Sequence, residues 1–231
     1  MDILEILFKY HKSFLGALII TAKLSIISLI GATIIGVIFG MFRISKNRLL
    51  RGISTTYIEL IRGTPLMVQA FIIYYGLAQV LRPFGFSWAP LGGAFTAGVL
   101  SLSLNSGAYM AEIIRGGIEA IDIGQIEAAR SLGLSYFKTM RKIVLPQAFR
   151  IMLPSIINQF IIEGNIISLK DTSILSIIGI KELTMNGKLI AANSATMVMP
   201  IWIVVALFYF CICMLLSSIA KYTERRLSYG K

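Results

Sequence analysis

Apolar residues run through the chain in stretches too long for a soluble core helix, and polar breaks divide them. Phe14 to Phe42 is the first such run, Tyr57 to Leu81 the second, Leu91 to Ile114 the third, Ile151 to Leu169 the fourth and Thr196 to Ala220 the fifth. A hydrocarbon core about 30 Å thick is crossed by about 20 mostly apolar helical residues, so the pattern predicts an all-α chain with five membrane spans. The spans are expected over 14–42, 57–81, 91–114, 151–169 and 196–220, in a single transmembrane domain over residues 1–231. Met1 to Lys12 alternates Ile3, Leu4, Ile6, Leu7 and Phe8 with Asp2, Glu5 and Lys9, the pattern of a short interfacial helix. Lys23 sits near the start of the first span, where its long side chain can reach the membrane surface. Lys170 to Ser194 is too polar to span.

Composition agrees with this reading. The chain is 56% hydrophobic and 14% charged, with a mean hydropathy of +0.79, whereas soluble domains carry about 25% charged residues. A net charge of +11 would suggest nucleic acid in a soluble protein, but here the basic residues gather in short loops. Fourteen Lys and Arg fall on one side of the five spans and six on the other. That bias predicts a cytoplasmic C-terminus and an external N-terminus. Asp2 and Glu5 stand where a signal peptide would be basic, so no cleavage is expected. Cys211 and Cys213 are two apart in an apolar run and suggest no redox pair.

One long polar segment, Ile118 to Pro146, interrupts this pattern. Asp122 and Gln125 have the spacing of a capping box, Ala128 and Ala129 would offer a partner close approach, and Gly133 would stop the helix. Ser135 can cap a second helix with Phe137, Met140 and Val144 on one face and Lys138, Arg141 and Lys142 on the other, which Pro146 should end or kink. By periodicity alone this is equally a solvated connector between two spans. Glu112–Arg115 and Glu59–Arg62 are each three apart and can pair along their own helices. Arg62, Gly63, Thr64 and Pro65 suggest a hinge, because the residue before proline avoids helical dihedrals.

Polar residues at membrane depth are functional candidates. They are Asn105, Ser106 and Tyr109 in the third span and Asn158, Gln159, Glu163 and Asn165 in the fourth. A carboxylate at Glu163 calls for a cation, which could be a bound substrate such as arginine, lysine or histidine. Interhelical hydrogen bonding is the alternative for Asn158, Gln159 and Asn165, and a capped or solvated gate residue for Glu163.

Glu127, Ala128, Ala129, Gly133, Ile143, Leu145 and Pro146 reproduce the spacing EAA-x3-G-x9-I-x-LP. This resembles the membrane-spanning permease subunit of ATP-binding-cassette importers. Ile58 to Leu77 (IELIRGTPLMVQAFIIYYGL), Asn105 to Ile121 (NSGAYMAEIIRGGIEAI), Lys170 to Leu175 (KDTSIL) and Glu224 to Leu227 (ERRL) are similar to its polar amino acid branch.

The resemblance implies a type I importer fold with five core helices and a cytoplasmic coupling loop over about 118–148. In it, Glu127, Ala128, Ala129 and Gly133 would seat on an ATPase; the hinge read from the residues at Arg62 and Pro65 would then lie near the inner gate. The implied partners are two cytoplasmic ATPases that bind ATP and Mg, a second permease copy, identical or not, and an external amino acid binding protein. The chain lacks a P-loop of its own; the nearest look-alike, starting at Gly164, has Leu169 where the second glycine must stand. No enzyme activity, cofactor or metal site is expected in this chain. Its substrate would be a polar amino acid, cationic by the Glu163 reading, with glutamine or glutamate as the alternative. The chain also has a few additional residues around Ile162 to Ile166, so Glu163 has no counterpart in the family pattern. A stand-alone transporter or channel is the rival class, and no internal repeat supports it.

Overall fold

The computed structural model describes residues 3–157, 170–193 and 197–228. Among the described residues all regular structure is helical. Helix α1, Ile3–Arg43, is a single element of 41 residues, about 60 Å long at 1.5 Å per residue. The expected interfacial helix is therefore the first part of α1. No glycine or proline separates it from the span, and Ile6 and Phe14 are fully buried.

One feature of α1 explains how closely it packs against its main neighbour. Its buried face carries Ala17, Thr21, Ser25, Ser28, Ala32, Gly36 and Gly40, a small or short residue at nearly every fourth position. Without a strong hydrophobic drive between helices in lipid, small residues let two backbones approach until dispersion and polar contacts hold them. From Ser28 onward this face meets α4, Ala94–Glu119. A Cβ on Gly36 would lie 2.3 Å from Met110 Cγ, and one on Gly40 2.9 Å from Ile114 Cβ. Ser103 Oγ donates to the Ser28 carbonyl at 3.2 Å, and Ser28 Oγ to the Val99 carbonyl at 3.4 Å. The opposite face exposes Ile19, Ile26, Ile30, Ile34 and Val37.

Asn47 caps α2, Arg48–Arg62, by accepting from the Leu49 amide at 2.9 Å. Its inward residues lock onto both long helices: Ser54 Oγ donates to the Phe39 carbonyl at 2.7 Å and Tyr57 Oη to the Leu104 carbonyl at 2.6 Å. The chain then turns through 109° into α3, Leu66–Phe84. Residues 57–81, expected as one span, are divided by this bend, because Pro65 cannot donate and Gly63 and Thr64 close the preceding turn instead.

After α4 come α5, Ile123–Ser131, and α6, residues 136–157. A tight helical stretch, Thr172–Ile178, leads to α7, Leu183–Ala192, and α8, Val198–Ser228. The first turns of α1 pack on α7 and α8 around Phe14, Leu183, Ile201 and Val204. The middle of α1 meets α3, α4 and the 172–178 stretch around Leu24, Leu102 and Leu175. The end of α4 meets α6 around Met110, Ile114, Val144 and Met152. By length and composition, Ile3–Arg43 and Val198–Leu215 can each cross a membrane, and the bent α2–α3 pair can make a third crossing.

Candidate functional site

The polar segment forms a helical elbow between α4 and α6. Asp122 caps α5, its Oδ1 accepting from the Gly124 amide at 2.6 Å. The Gln125 side chain does not reach back to complete a capping box; its Oε1 accepts from Gln147 Nε2 at 2.6 Å and ties α5 to α6. Gly133 takes φ +82°, a left-handed conformation that glycine adopts freely. The Leu134 amide returns to the Ala129 carbonyl at 3.2 Å and completes the stop. Ser135 Oγ accepts from the Lys138 amide.

Pro146 does not end α6. Wide turns over Met140–Val144 precede it, so the helix continues through the position where an amide is missing.

The elbow has an anchored side and a free side. Ala129, Thr139, Met140 and Val144 are buried, whereas Glu127, Ala128, Arg130, Leu132 and Gly133 face outward. The two alanines expected to be presented together are thus split: Ala128 is on the surface, and Ala129 packs inside. Phe137 is 72% exposed and does not share the buried face of Met140 and Val144, since it occupies the first turn of α6, before that helix closes on α4. Leu132 is 85% exposed.

Just inside the elbow, charges from three helices converge on Glu112. Arg115 donates to it at 2.8 Å along α4, and Arg43 from α1 and Arg62 from α2 lie 3.7 and 3.9 Å away. The Glu112–Arg115 pair is the one expected from spacing. The Glu59–Arg62 pair does not form: Glu59 meets Arg43 at 3.8 Å, and Arg62 turns toward Glu112 and stands 5.4 Å from the centre of the Tyr109 ring. Packing the three helix ends together gives Glu59 to Arg43 of α1 and offers Arg62 instead the Glu112 carboxylate and the Tyr109 ring of α4. Arg115 also bonds Glu119.

Deeper in the molecule, Asn105 is buried and donates to Gln69 Oε1 at 3.0 Å. Gln69 Nε2 in turn reaches the Ile61 carbonyl at 2.7 Å and the Thr64 carbonyl and hydroxyl, both at 2.9 Å. This amide bridges the α2–α3 bend beside Pro65 and fastens it to α4. Asn105 is thereby engaged in holding the bend. Sequence reasoning missed Gln69, whose only signal was an amide set between Val68 and Ala70. Ser106 is buried, and its hydroxyl finds no hydrogen-bond partner among the described residues. Asn158, Gln159, Glu163 and Asn165 lie outside the described residues.

A buried acid, Glu182, was also missed. It caps α7, accepting from the Met185 and Thr184 amides, each at 2.8 Å, and from Tyr209 Oη at 2.7 Å. Because Thr21 Oγ1 accepts from the adjoining Leu183 amide at 3.1 Å, this corner joins α1, α7 and α8. In the preceding KDTS segment, burial pushes the Asp171 carboxyl up to about 6.

Comparison with known proteins accounts for this arrangement. Residues 32–229 match the family described as "Binding-protein-dependent transport system inner membrane component". The chain belongs to that family. Among similar permeases, the glutamine transport system permease protein GlnP of Escherichia coli K12 is 40% identical over 90% of this chain and 89% of its own. The L-cystine transport system permease protein TcyB of Bacillus subtilis 168 is 39% identical over 92% of this chain and 85% of its own. The crystal structure of an amino acid ABC transporter with histidines superposes with a TM-score of 0.84 at 38% identity, covering 98% of this chain and 99% of that one. The inward-facing MetNI methionine transporter shares the fold, with a TM-score of 0.70 at 15% identity. The permease fold is that of a type I ABC importer, and α5 carries the EAA sequence with Glu127 and Ala128 outward and Ala129 inward.

Proposed function

We propose that this permease forms the translocation path of an ATP-driven importer of polar amino acids and couples it to ATPase subunits through α5. The exposed face of Glu127, Ala128 and Leu132, on a helix clamped between α4 and α6, carries this reading. A partner that moves α5 must move α4 and α6 with it, since Ala129, Met140 and Val144 fix the elbow into the core. Gly133 holds the turn, and the α2–α3 bend at Arg62 and Pro65, pinned by Gln69 and Asn105, lies where α2 adjoins α4. The reading further takes the N-terminus as external and the elbow as cytoplasmic. ATP and Mg are bound by the partner ATPases, a second permease copy completes the path, and an external binding protein delivers the substrate.

Glutamine is the substrate class we favour, on the strength of the GlnP relatives and of the neutral polar groups at Ser106 and Tyr109. A cationic amino acid is the second reading, favoured by Glu163 within an apolar run. The test is uptake into liposomes holding the permease with its ATPase and binding protein, with glutamine, glutamate, arginine and histidine in competition. ATP-dependent glutamine uptake abolished by Glu127→Lys is expected. Uptake without ATP, or undisturbed by Glu127→Lys, would overturn the coupling assignment. Loss of arginine uptake alone in Glu163→Gln would select the cationic reading.

A further inference from the structure

A groove of about 520 Å³ opens where the end of α1 passes the start of α6. Met41, Ile44, Phe137 and Leu145 form its apolar walls, Lys46 and Arg141 stand on it, and none of the residues lining it is acidic. Both cations are exposed, and Lys46 Nζ is held 5.3 Å from the centre of the Tyr136 ring. The groove also ends a longer feature. The exposed stripe of α1, Ile26, Ile30, Ile34 and Val37, recurs at helical spacing and runs on into Met41 and Ile44. From Arg43, the last residue of α1, back to Ile34 the helix rises about 14 Å, close to the depth of one leaflet. The lining is distinct from the outward face of α5, where Glu127, Ala128 and Leu132 lie.

We propose that this groove holds an anionic phospholipid, its phosphate between Lys46 and Arg141 and an acyl chain along Met41, Val37 and Ile34. Charge complementarity selects this occupant: two cations with no acid among them, at the boundary of an apolar stripe, match a phosphate joined to a hydrocarbon chain. A soluble anion would make no use of the stripe, and a neutral lipid would make no use of the net positive charge. The inference rests on the proposed function only in taking this end as cytoplasmic, where anionic headgroups abound.

The permease purified with its ATPase is incubated with mixed phosphatidylglycerol and phosphatidylcholine vesicles, extracted in detergent and weighed intact by mass spectrometry. Wild type is expected to retain phosphatidylglycerol in preference to phosphatidylcholine. K46E/R141E should lower that preference by at least about twenty-five-fold, a factor of about five for each of the two cations lost. R48E/R51E, the same charge change outside the groove, should leave it unchanged, and should K46E/R141E fail to assemble, K46Q/R141Q carries the same comparison.

Equal loss in both reversal pairs, or loss in neither, overturns the site. Displacement of the lipid by millimolar inorganic phosphate would make it a free-anion site and overturns the lipid assignment. Loss of the ATPase from K46E/R141E with lipid retention intact gives the groove to the ATPase, and also overturns it. Lipid retention requires neither uptake nor ATP hydrolysis, so failure here leaves the transport reading standing.

Discussion

Gly36→Ala probes the contact on which the rest of the fold hangs. The added Cβ would lie 2.3 Å from Met110 Cγ, 2.5 Å from Met110 Cβ and 3.3 Å from the Ala111 amide nitrogen. Carbon atoms rest about 3.5–4.0 Å apart, so the deficit exceeds 1 Å against atoms next to the α4 backbone. Met110 is 2% exposed and has no open side into which to swing. Either α1 and α4 part, or Met110 leaves its place against Ile114. Overpacking of this kind costs about 1–3 kcal/mol. Gly16 and Gly52 supply the reference, because a Cβ there meets nothing within 4 Å, and alanine in an open helical position gains up to about 1 kcal/mol over glycine. The assay is thermal unfolding of the purified transporter in detergent. Gly36→Ala should melt below Gly16→Ala and Gly52→Ala by several degrees, at about 2–4 °C per kcal/mol for a chain of this size. A Gly36→Ala midpoint equal to that of Gly16→Ala would refute close α1–α4 packing.

Four further outcomes are expected. Gln69→Leu strips the Ile61 and Thr64 carbonyls and the Asn105 amide of their partner, a loss of about 1–3 kcal/mol for each group left buried and unpaired. Asn105→Leu should then cost little more in the same chain, and additive effects in the melting midpoint would dissolve the pair. Glu112→Gln leaves Arg43, Arg62 and Arg115 without a shared carboxylate; the drop in midpoint should shrink as NaCl screens these partly exposed charges, and a salt-independent drop would count against an electrostatic role. Gly133→Ala forces a side chain into the left-handed region at a cost of about 1–2 kcal/mol, with stimulated ATPase activity expected to fall and Gly133→Asn to retain more of it; equal activities would show the turn is not strained.

Asp171 gives a pH signature. Its folded carboxyl keeps its proton up to about 6, whereas an unfolded aspartate releases it near 3.9. The folded state therefore binds the extra proton, and stability should fall as pH rises from about 4 to 6 and then level off. Asp171→Asn should remove this decline, and parallel melting curves for the two proteins across that window would contradict burial of the carboxyl.

The helical class, the polar elbow and its helix starts at Asp122 and Ser135 and stop at Gly133 were legible in the residues themselves, because capping and the left-handed turn are local chemistry. So was the chain's place among binding-protein-dependent permeases, which rests on fixed spacings such as Glu127 to Gly133. The small-residue ridge of α1 was equally present in the sequence, although its meaning needed the identity of the opposing helix. Which charge meets which was a different matter. Spacing along one helix offered Glu59 to Arg62, and packing of three helix ends gave Arg62 to Glu112 instead. That Asn105 donates to Gln69 could be seen only once the 109° bend brought the two together, and Pro146, read as an end or a kink, does not end α6 because wide turns precede it. Local sequence determines what each segment can form, since caps, turns and periodicity act within a few residues. Only the tertiary structure decides which polar group is spent on holding the fold and which remains free for a partner, because that depends on atoms far apart in the chain.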